Sequence, residues 1–279
     1  MALSKLRKKI DDIVRLACWK VLRPTIPLSS GVSVPVHSDS DWQIMIEVLV
    51  DRNYDAAIES AFSSRRNGGP VRILDLGANV GYFSLRCIHF YIAGQERFPF
   101  QLFAVEGSPS LVPDLQRRLT AHTESDVQVR CGLVGHRSGE ALIYSSAFYS
   151  CVNKIAKHGA TASRNPLLNR RAEVSKYIDL DELVGPGPID LIKCDIEGSE
   201  LEFLQTYPDL LRRTKTLVIE FHPNACNANQ GRRLLESYGL EYVHTIQDHH
   251  PTYSLEMFAS RQVVHLAANE QPSGYLQTY

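Results

Sequence analysis

Six short apolar runs, separated by stretches of helical pattern, constrain the fold of this chain more than any other feature. The runs are VRILDLG (71–77), QLFAVEG (101–107), VQVRCGLVG (127–135), IDLIKCDI (189–196), TLVIEF (216–221) and LEYVHTI (240–246). Helical patterns lie between several of them, over 80–91, 109–120, 199–207 and 229–238. Runs that are apolar at nearly every position suit strands buried on both faces, as in a parallel sheet. The alternation predicts an α/β domain with an open, doubly wound sheet, helices on both faces and ligands at the carboxyl ends of its strands. A chain of 279 residues is long enough to bury such a core.

Two segments precede the alternation. Leu3, Leu6, Ile10, Ile13, Ala17 and Val21 fall on one helical face, within a stretch holding seven basic and two acidic residues up to Arg23. Pro24 and Pro27 end that helix and open a linker, LSSGVSVPV. A basic amphipathic helix over residues 3–22 suits peripheral contact with an anionic membrane surface, a partner helix, or the chain's own domain. A second helical pattern starts at Asp41 and sets Trp42, Met45, Ile46, Leu49 and Val50 on one face, as a roof for the main domain. The chain therefore divides into a helical extension and linker (1–60) and a main domain (61–279).

Composition excludes several classes. With 30 Lys and Arg against 31 Asp and Glu, the chain lacks the basic excess of a nucleic-acid binder. No apolar stretch approaches the ~20 residues of a membrane span. Asp11, Asp12 and Arg15 interrupt the place of a signal-peptide core, so a cytoplasmic protein is expected. Six cysteines without CxxC spacing read as free packing thiols rather than zinc ligands or disulfides.

DLGANVG closes the first run and opens the first helix. Gly77 allows a tight turn close to a ligand, and Gly81 close packing of helix on strand. A dinucleotide site would carry GxGxxG, whose amides cradle a pyrophosphate. Here Asp75 precedes the first glycine and Asn79 stands where the second would be. A carboxylate there repels phosphate and suits a cationic amino group. Glu106, ending the second run, sits where a carboxylate accepts hydrogen bonds from ribose hydroxyls. In strand–turn–helix–strand order these features point to S-adenosylmethionine (SAM).

DLGANVGYFSL, FAVEGSPSLVPDL, YIDLDEL, DLIKCDIEGSELEFL and LVIEFHP occur in the order and spacing of the FkbM-type SAM-dependent methyltransferases, which the chain resembles over residues 71–223. KxDxEG is the most discriminating part of the match. The resemblance implies a Rossmann-like class I methyltransferase sheet, mostly parallel with a reversed last strand. It also implies methylation mostly at oxygen, on small molecules, polyketides or sugars. Cys194 replaces a residue that is usually aliphatic in the family, a conservative change. The expected cofactor set is Asp75, Gly77, Asn79, Gly81, Tyr82, Glu106, Gly107 and Asp195.

Strand alternation puts Lys193, Asp195 and Glu197 on one side of the fourth run, with Asp195 beside the transferred methyl and Glu197 towards the acceptor. Glu200 suits a capping role at the helix that follows. Glu220 and His222 end the fifth run and face the same crevice. A hydroxyl acceptor needs a base, and His222 or Asp195 is placed to serve. The expected catalytic set is therefore Asp195, His222, Glu197 and Lys193. No metal is expected, although Asp195, Glu220 and His222 have the ligand types for a divalent ion. Residues 145–172 contain no acid but include Lys154, Lys157, Arg164, Arg170 and Arg171, as expected of a lid that selects an anionic acceptor or of a solvated loop. The leading reading is O-methylation of a sugar, glycan or small-molecule metabolite. The alternatives are a non-catalytic SAM-binding module recruited through the basic helix, and a nicotinamide oxidoreductase, which the missing GxG disfavours. The acceptor and the oligomeric state are not encoded in any motif.

Overall fold

The computed structural model describes residues 18–19, 21–63, 69–94, 98–122, 126–146, 154–155 and 170–263. Most of the basic helix expected over 3–22 and most of the 145–172 segment lie outside these residues, as does Cys151.

The stretch expected as a linker is an antiparallel hairpin of β1 (Thr25–Pro27) and β2 (Ser33–Pro35). Val32, Val34 and Val36 are fully buried beneath it. Their period of two is a strand signal, disguised by the Ser, Gly and Pro residues around them. Helix α1 (Asp39–Met45) follows, capped by Ser38, whose Oγ accepts from the Asp41 N–H at 3.0 Å. It runs into a π-helical turn at Ile46–Val50, where the extra residue rotates the apolar face. Met45 and Val48 are buried as a result, whereas Trp42 and Val50, expected on that inner face, are exposed. Helix α2 (Asp55–Ser63) completes the segment, and its Ala57, Ile58 and Ala61 join the same apolar cluster as the hairpin valines.

The main sheet uses β3 (Val71–Leu76), β4 (Phe100–Glu106) and β5 (Asp126–Cys131), connected through α3 (Tyr82–Ala93) and α4 (Val112–Thr120). Next, β6 (Glu140–Ser146), β7 (Lys154–Ile155) and β8 (Arg170–Lys176) build a separate three-stranded antiparallel sheet with β6 in the middle. The expected lid segment is therefore bracketed by strands. Helix α5 (Leu180–Val184) leads back to β9 (Ile189–Cys194). Helices α6 (Glu200–Thr206) and α7 (Pro208–Arg212) precede β10 (Thr214–Phe221). Helix α8 (Ala228–Ser237) then leads to β11 (Leu240–His249) and β12 (Tyr253–Ser260). The seven-stranded order is β11-β12-β10-β9-β3-β4-β5. Strands β10, β9, β3, β4 and β5 run parallel, and β12 is antiparallel to both of its neighbours, the reversed last strand that was expected.

Alternation sends β3 side chains to opposite faces. Val71 and Ile73 join the cluster under α2, α3 and the hairpin, and Leu74 and Leu76 join the one under α6, α7 and α8. Burying each such chain contributes about 1.5–3 kcal/mol relative to exposure. Asp75, Lys193 and Glu220 continue the rows of Ile73, Leu191 and Val218 on the first face. Three ionisable groups are thereby delivered to one edge of the sheet. Cys87, Cys194 and Cys226 are buried free thiols, as expected, but Cys18 and Cys131 are exposed. Cys131 ends the edge strand β5, where one side of the strand has no neighbour to cover it. No helix among the described residues is long and apolar enough to cross a membrane.

Candidate active site

The β3–α3 turn is built by three left-handed residues, Gly77 (φ 72°), Asn79 (φ 51°) and Gly81 (φ 91°). Asn tolerates that region better than most residues, so Asn79 supplies the backbone that a second glycine would. A Cβ on Gly77 would lie 1.7 Å from the carbonyl oxygen of Asp195. Gly77 is thus needed for the approach of β3 to β9, where closeness to a ligand was expected. A Cβ on Gly81 would lie 2.7 Å from Leu115 Cδ1 in α4, so the expected helix-on-strand packing is helix-on-helix.

Asp75 is completely buried. Its Oδ2 accepts from Ser84 Oγ at 2.6 Å, and its Oδ1 lies 3.6 Å from Lys193 Nζ. Burial pushes the Asp75 pKa up and the Lys193 charge opposes this. The cation expected from a ligand is therefore supplied from within the protein by Lys193. The Lys193 ammonium donates to Gly77 O at 2.7 Å and lies 3.6 Å from Asp195 Oδ2. Burial would lower its pKa, but Asp195, Asp75 and Glu220 raise it above the ordinary value, so it stays charged.

Glu106 binds the turn from the next strand. Its Oε2 accepts from Asn79 N–H at 2.8 Å and its Oε1 from Ser108 N–H at 2.7 Å. Burial raises its pKa against the pull of those two amides. Each carboxylate oxygen keeps a lone pair for a further donor. Gly107 lies against Leu133, 3.0 Å from where its Cβ would stand. Tyr82, expected in the cofactor set, turns its hydroxyl to the N-terminal hairpin. It is buried, its hydroxyl donates to Pro35 O at 2.8 Å, and its ring lies under Arg118. Position 82 is the first of α3, and from there the side chain reaches the N-terminal hairpin.

Beyond β9 the expected strand alternation ends at Cys194, and Glu197 reaches the crevice through a turn instead, at φ 55°. Such strain in a non-glycine residue is held by its surroundings and clusters at functional sites. Glu197 Oε2 lies 3.6 Å from His222 Nε2. His222 is the hub. Its Nε2 is 3.1 Å from Glu220 Oε1, and its Nδ1 is 2.9 Å from Glu200 Oε1. Glu200 is fully buried and also accepts from Gly198 N–H at 2.8 Å, so the residue expected to cap a helix orients the imidazole as well.

Burial by itself would lower the His222 pKa, but its hydrogen bonds to Glu200 and Glu220 hold it at about 11. The same two hydrogen bonds favour the protonated imidazole, so they work against the role of base expected of His222. Burial, and then the Asp195 charge, raise Glu197 to about 8, and the same two causes raise Glu220. Two further neighbours had no motif to reveal them. Burial and the Asp195 charge raise the pKa of Glu47, in the π-helical turn. Tyr253 is raised by burial and by Glu47, Glu220 and Asp195. It also lines a cavity of about 620 Å³ bordered by Asn224, Asn227, Arg232 and Asp248.

This sheet order, with the glycine turn at the switch between β3 and β9 and acids on the adjoining strand ends, defines a class I methyltransferase domain. The family model described as Methyltransferase FkbM domain matches residues 75–250, and the chain belongs to that family of SAM-dependent methyltransferases. Among solved structures it is similar to the methyltransferase FkbM from Methylobacillus flagellatus KT, at 15% identity and TM-score 0.46, covering 89% of this chain and 60% of that one. It is also similar to the N-terminal domain of EvdMO1 with SAH bound, at 14% identity and TM-score 0.44, covering 91% and 97%. A third is the bifunctional kinase-methyltransferase WbdD, at 13% identity and TM-score 0.42, where the chain covers 78% of itself but spans only 39% of the other. Likenesses this distant carry nothing about the acceptor. No curated protein matches the chain.

The turn fits the family's cofactor. Asn79 Oδ1 is buried there without a hydrogen-bond partner, and the spare lone pairs of Glu106 lie beside it. Such acceptors suit the hydroxyl and amino donors of SAM.

Proposed function

We propose that this chain transfers a methyl group from SAM to a hydroxyl of a sugar, glycan or small metabolite. One observation carries the reading: Asp195 joins the cofactor turn to the acid cluster. Its N–H donates to Leu76 O at 3.1 Å, its carbonyl abuts Gly77, and its carboxylate faces Lys193. An acceptor held by Asp195 thus adjoins the glycine turn.

Bound SAM supplies an electrophilic methyl group on a sulfonium. The chain's task is to hold the acceptor oxygen in line and take its proton. Asp195 accepts a hydrogen bond from the acceptor. Glu197, whose raised pKa lies near the working range, takes the proton, and the imidazolium of His222 stabilises the cluster of carboxylates around it. Tyr253 and the adjoining polar cavity receive the body of the acceptor. The basic residues of 145–172 favour an anionic acceptor, and residues 1–60 act as an extension to the main domain at 61–279, joined to it through α2, which spans that boundary and shares its apolar cluster. The buried free thiols suit a reducing, cytoplasmic setting.

The test is transfer of labelled methyl from SAM into a fractionated host extract, with Asp195→Asn and Glu197→Gln as controls. Label in a glycan or small-metabolite fraction, lost in both variants, supports the reading. Label in a protein or nucleic-acid fraction overturns it.

A further inference from the structure

Four carboxylates converge at the ends of β9 and β10: Asp195, Glu197, Glu200 and Glu220. Among the described residues, the cationic side chains paired with them are Lys193, which contacts Asp195, and His222. Lys193 is shared with Asp75, so carboxyl groups outnumber the cationic side chains in this partly buried corner. Such a crowd is relieved by protons, which the raised Glu197 and Glu220 hold in the metal-free chain, or by a bound cation that displaces them.

The donors are arranged for a metal ion. Asp195, Glu220 and His222 each offer one ligand atom, and the three lie within 4.8 Å of one another. His222 Nε2 and Glu220 Oε1 are 3.1 Å apart. That is the spacing of adjacent ligands bonded at right angles to one ion at about 2.1–2.2 Å. The other nitrogen, Nδ1, points at Glu200 Oε1. A carboxylate behind a histidine is the usual support of a metal-binding imidazole, because it fixes the ring with Nε2 turned towards the ion. Glu200 is completely buried, and its Oε2 has no hydrogen-bond partner.

We propose that Asp195, Glu220 and His222 bind one divalent first-row ion of the Mn²⁺ or Zn²⁺ type, which displaces the proton that His222 Nε2 carries in the metal-free chain. One imidazole with two carboxylates suits these ions. Three protein ligands leave positions open for an acceptor oxygen. The site deepens the methyl-transfer reading and rests on it only for the ion's purpose, since binding is measured without cofactor or acceptor.

The experiment titrates Mn²⁺ into the full chain, with free ion followed by electron paramagnetic resonance and bound ion by its coupling to nitrogen. The same series with Zn²⁺ uses equilibrium dialysis. One ion per chain is expected, with a nitrogen coupling that His222→Gln abolishes. Asp195→Asn and Glu220→Gln should each weaken affinity at least tenfold in protein that still unfolds cooperatively, and the exposed control Asp209→Asn should not. Absence of saturable binding of either ion to the wild-type chain overturns the proposal. So does binding that keeps its affinity in both carboxylate variants, or wild-type Mn²⁺ without nitrogen coupling. Methyl transfer by a chain that binds no ion removes the metal site and leaves the enzyme. An ion bound by a chain that methylates nothing does the reverse.

Discussion

Lys193 Nζ stands 3.6 Å from Asp75 Oδ1 and 3.6 Å from Asp195 Oδ2, so one buried ammonium ties the carboxyl ends of β3 and β9 together. The acid of the glycine motif and the lysine of KxDxEG, widely separated in the chain, are partners in one ion pair. Asp75 is therefore linked to the glycine turn through Lys193, which also donates to Gly77 O.

Replacing Lys193 with Met leaves Asp75 as a buried carboxylate without its cation. Breaking a buried pair from one side costs about 3–5 kcal/mol. The urea midpoint should fall accordingly, and adding Asp75→Asn should recover part of the loss. A double variant no more stable than Lys193→Met would show that the pair is not the cause.

Gly77→Ala sets a methyl group against the Asp195 carbonyl at a left-handed φ of 72°. Overpacking of this kind costs about 1–3 kcal/mol, and the strand ends must part. Calorimetry should find SAM affinity more than tenfold lower in protein that remains folded. Retained affinity would mean that the turn tolerates the shift.

Glu106→Ala removes the acceptor of two backbone N–H groups and the expected ribose contact. SAM binding should weaken by about 1–3 kcal/mol, the scale of a charged hydrogen bond. Unchanged affinity by titration calorimetry would sink the ribose assignment.

Tyr82→Phe separates the two places where that side chain could matter. Loss of the bond to Pro35 O should cost about 0.5–1.5 kcal/mol of stability, towards the low end because Arg118 Nη1 also donates to that carbonyl at 3.1 Å. The Kd for SAM should not move. A weakened Kd at unaltered stability would return Tyr82 to the cofactor.

Glu197→Gln keeps the volume of the side chain and removes the proposed base. General-base catalysis contributes about 10²–10⁴-fold, so kcat for the acceptor found in the extract should drop on that scale while SAM affinity holds. A normal kcat would pass the role to another carboxylate of the cluster.

The buried sheet strands were legible because a strand covered on both faces must be apolar along its whole length, as in VRILDL and IDLIKC. The glycine turn was legible for a local reason as well: a sharp turn needs residues that adopt positive φ, and Gly77 and Gly81 announce it. Glu106, Asp195 and Glu220 could be placed at strand ends by counting along those runs. Residues 32–36 carried their strand signal too, but Ser and Pro between the valines imitate a loop. The π-helical turn at Ile46–Val50 had no such mark, since one extra residue per turn leaves no trace in composition.

By itself, then, the sequence determined six of the seven strands of the main sheet, where the turn bends and which acids stand at the sheet's carboxyl edge, because each follows from neighbours along the chain. Only the tertiary structure decided that Lys193 answers Asp75, that Glu200 grips His222, and that Tyr82 turns to the hairpin. The charge state and orientation of a buried group depend on what lies across the fold within a few ångströms, and residues far apart in sequence meet there only once the strands are ordered.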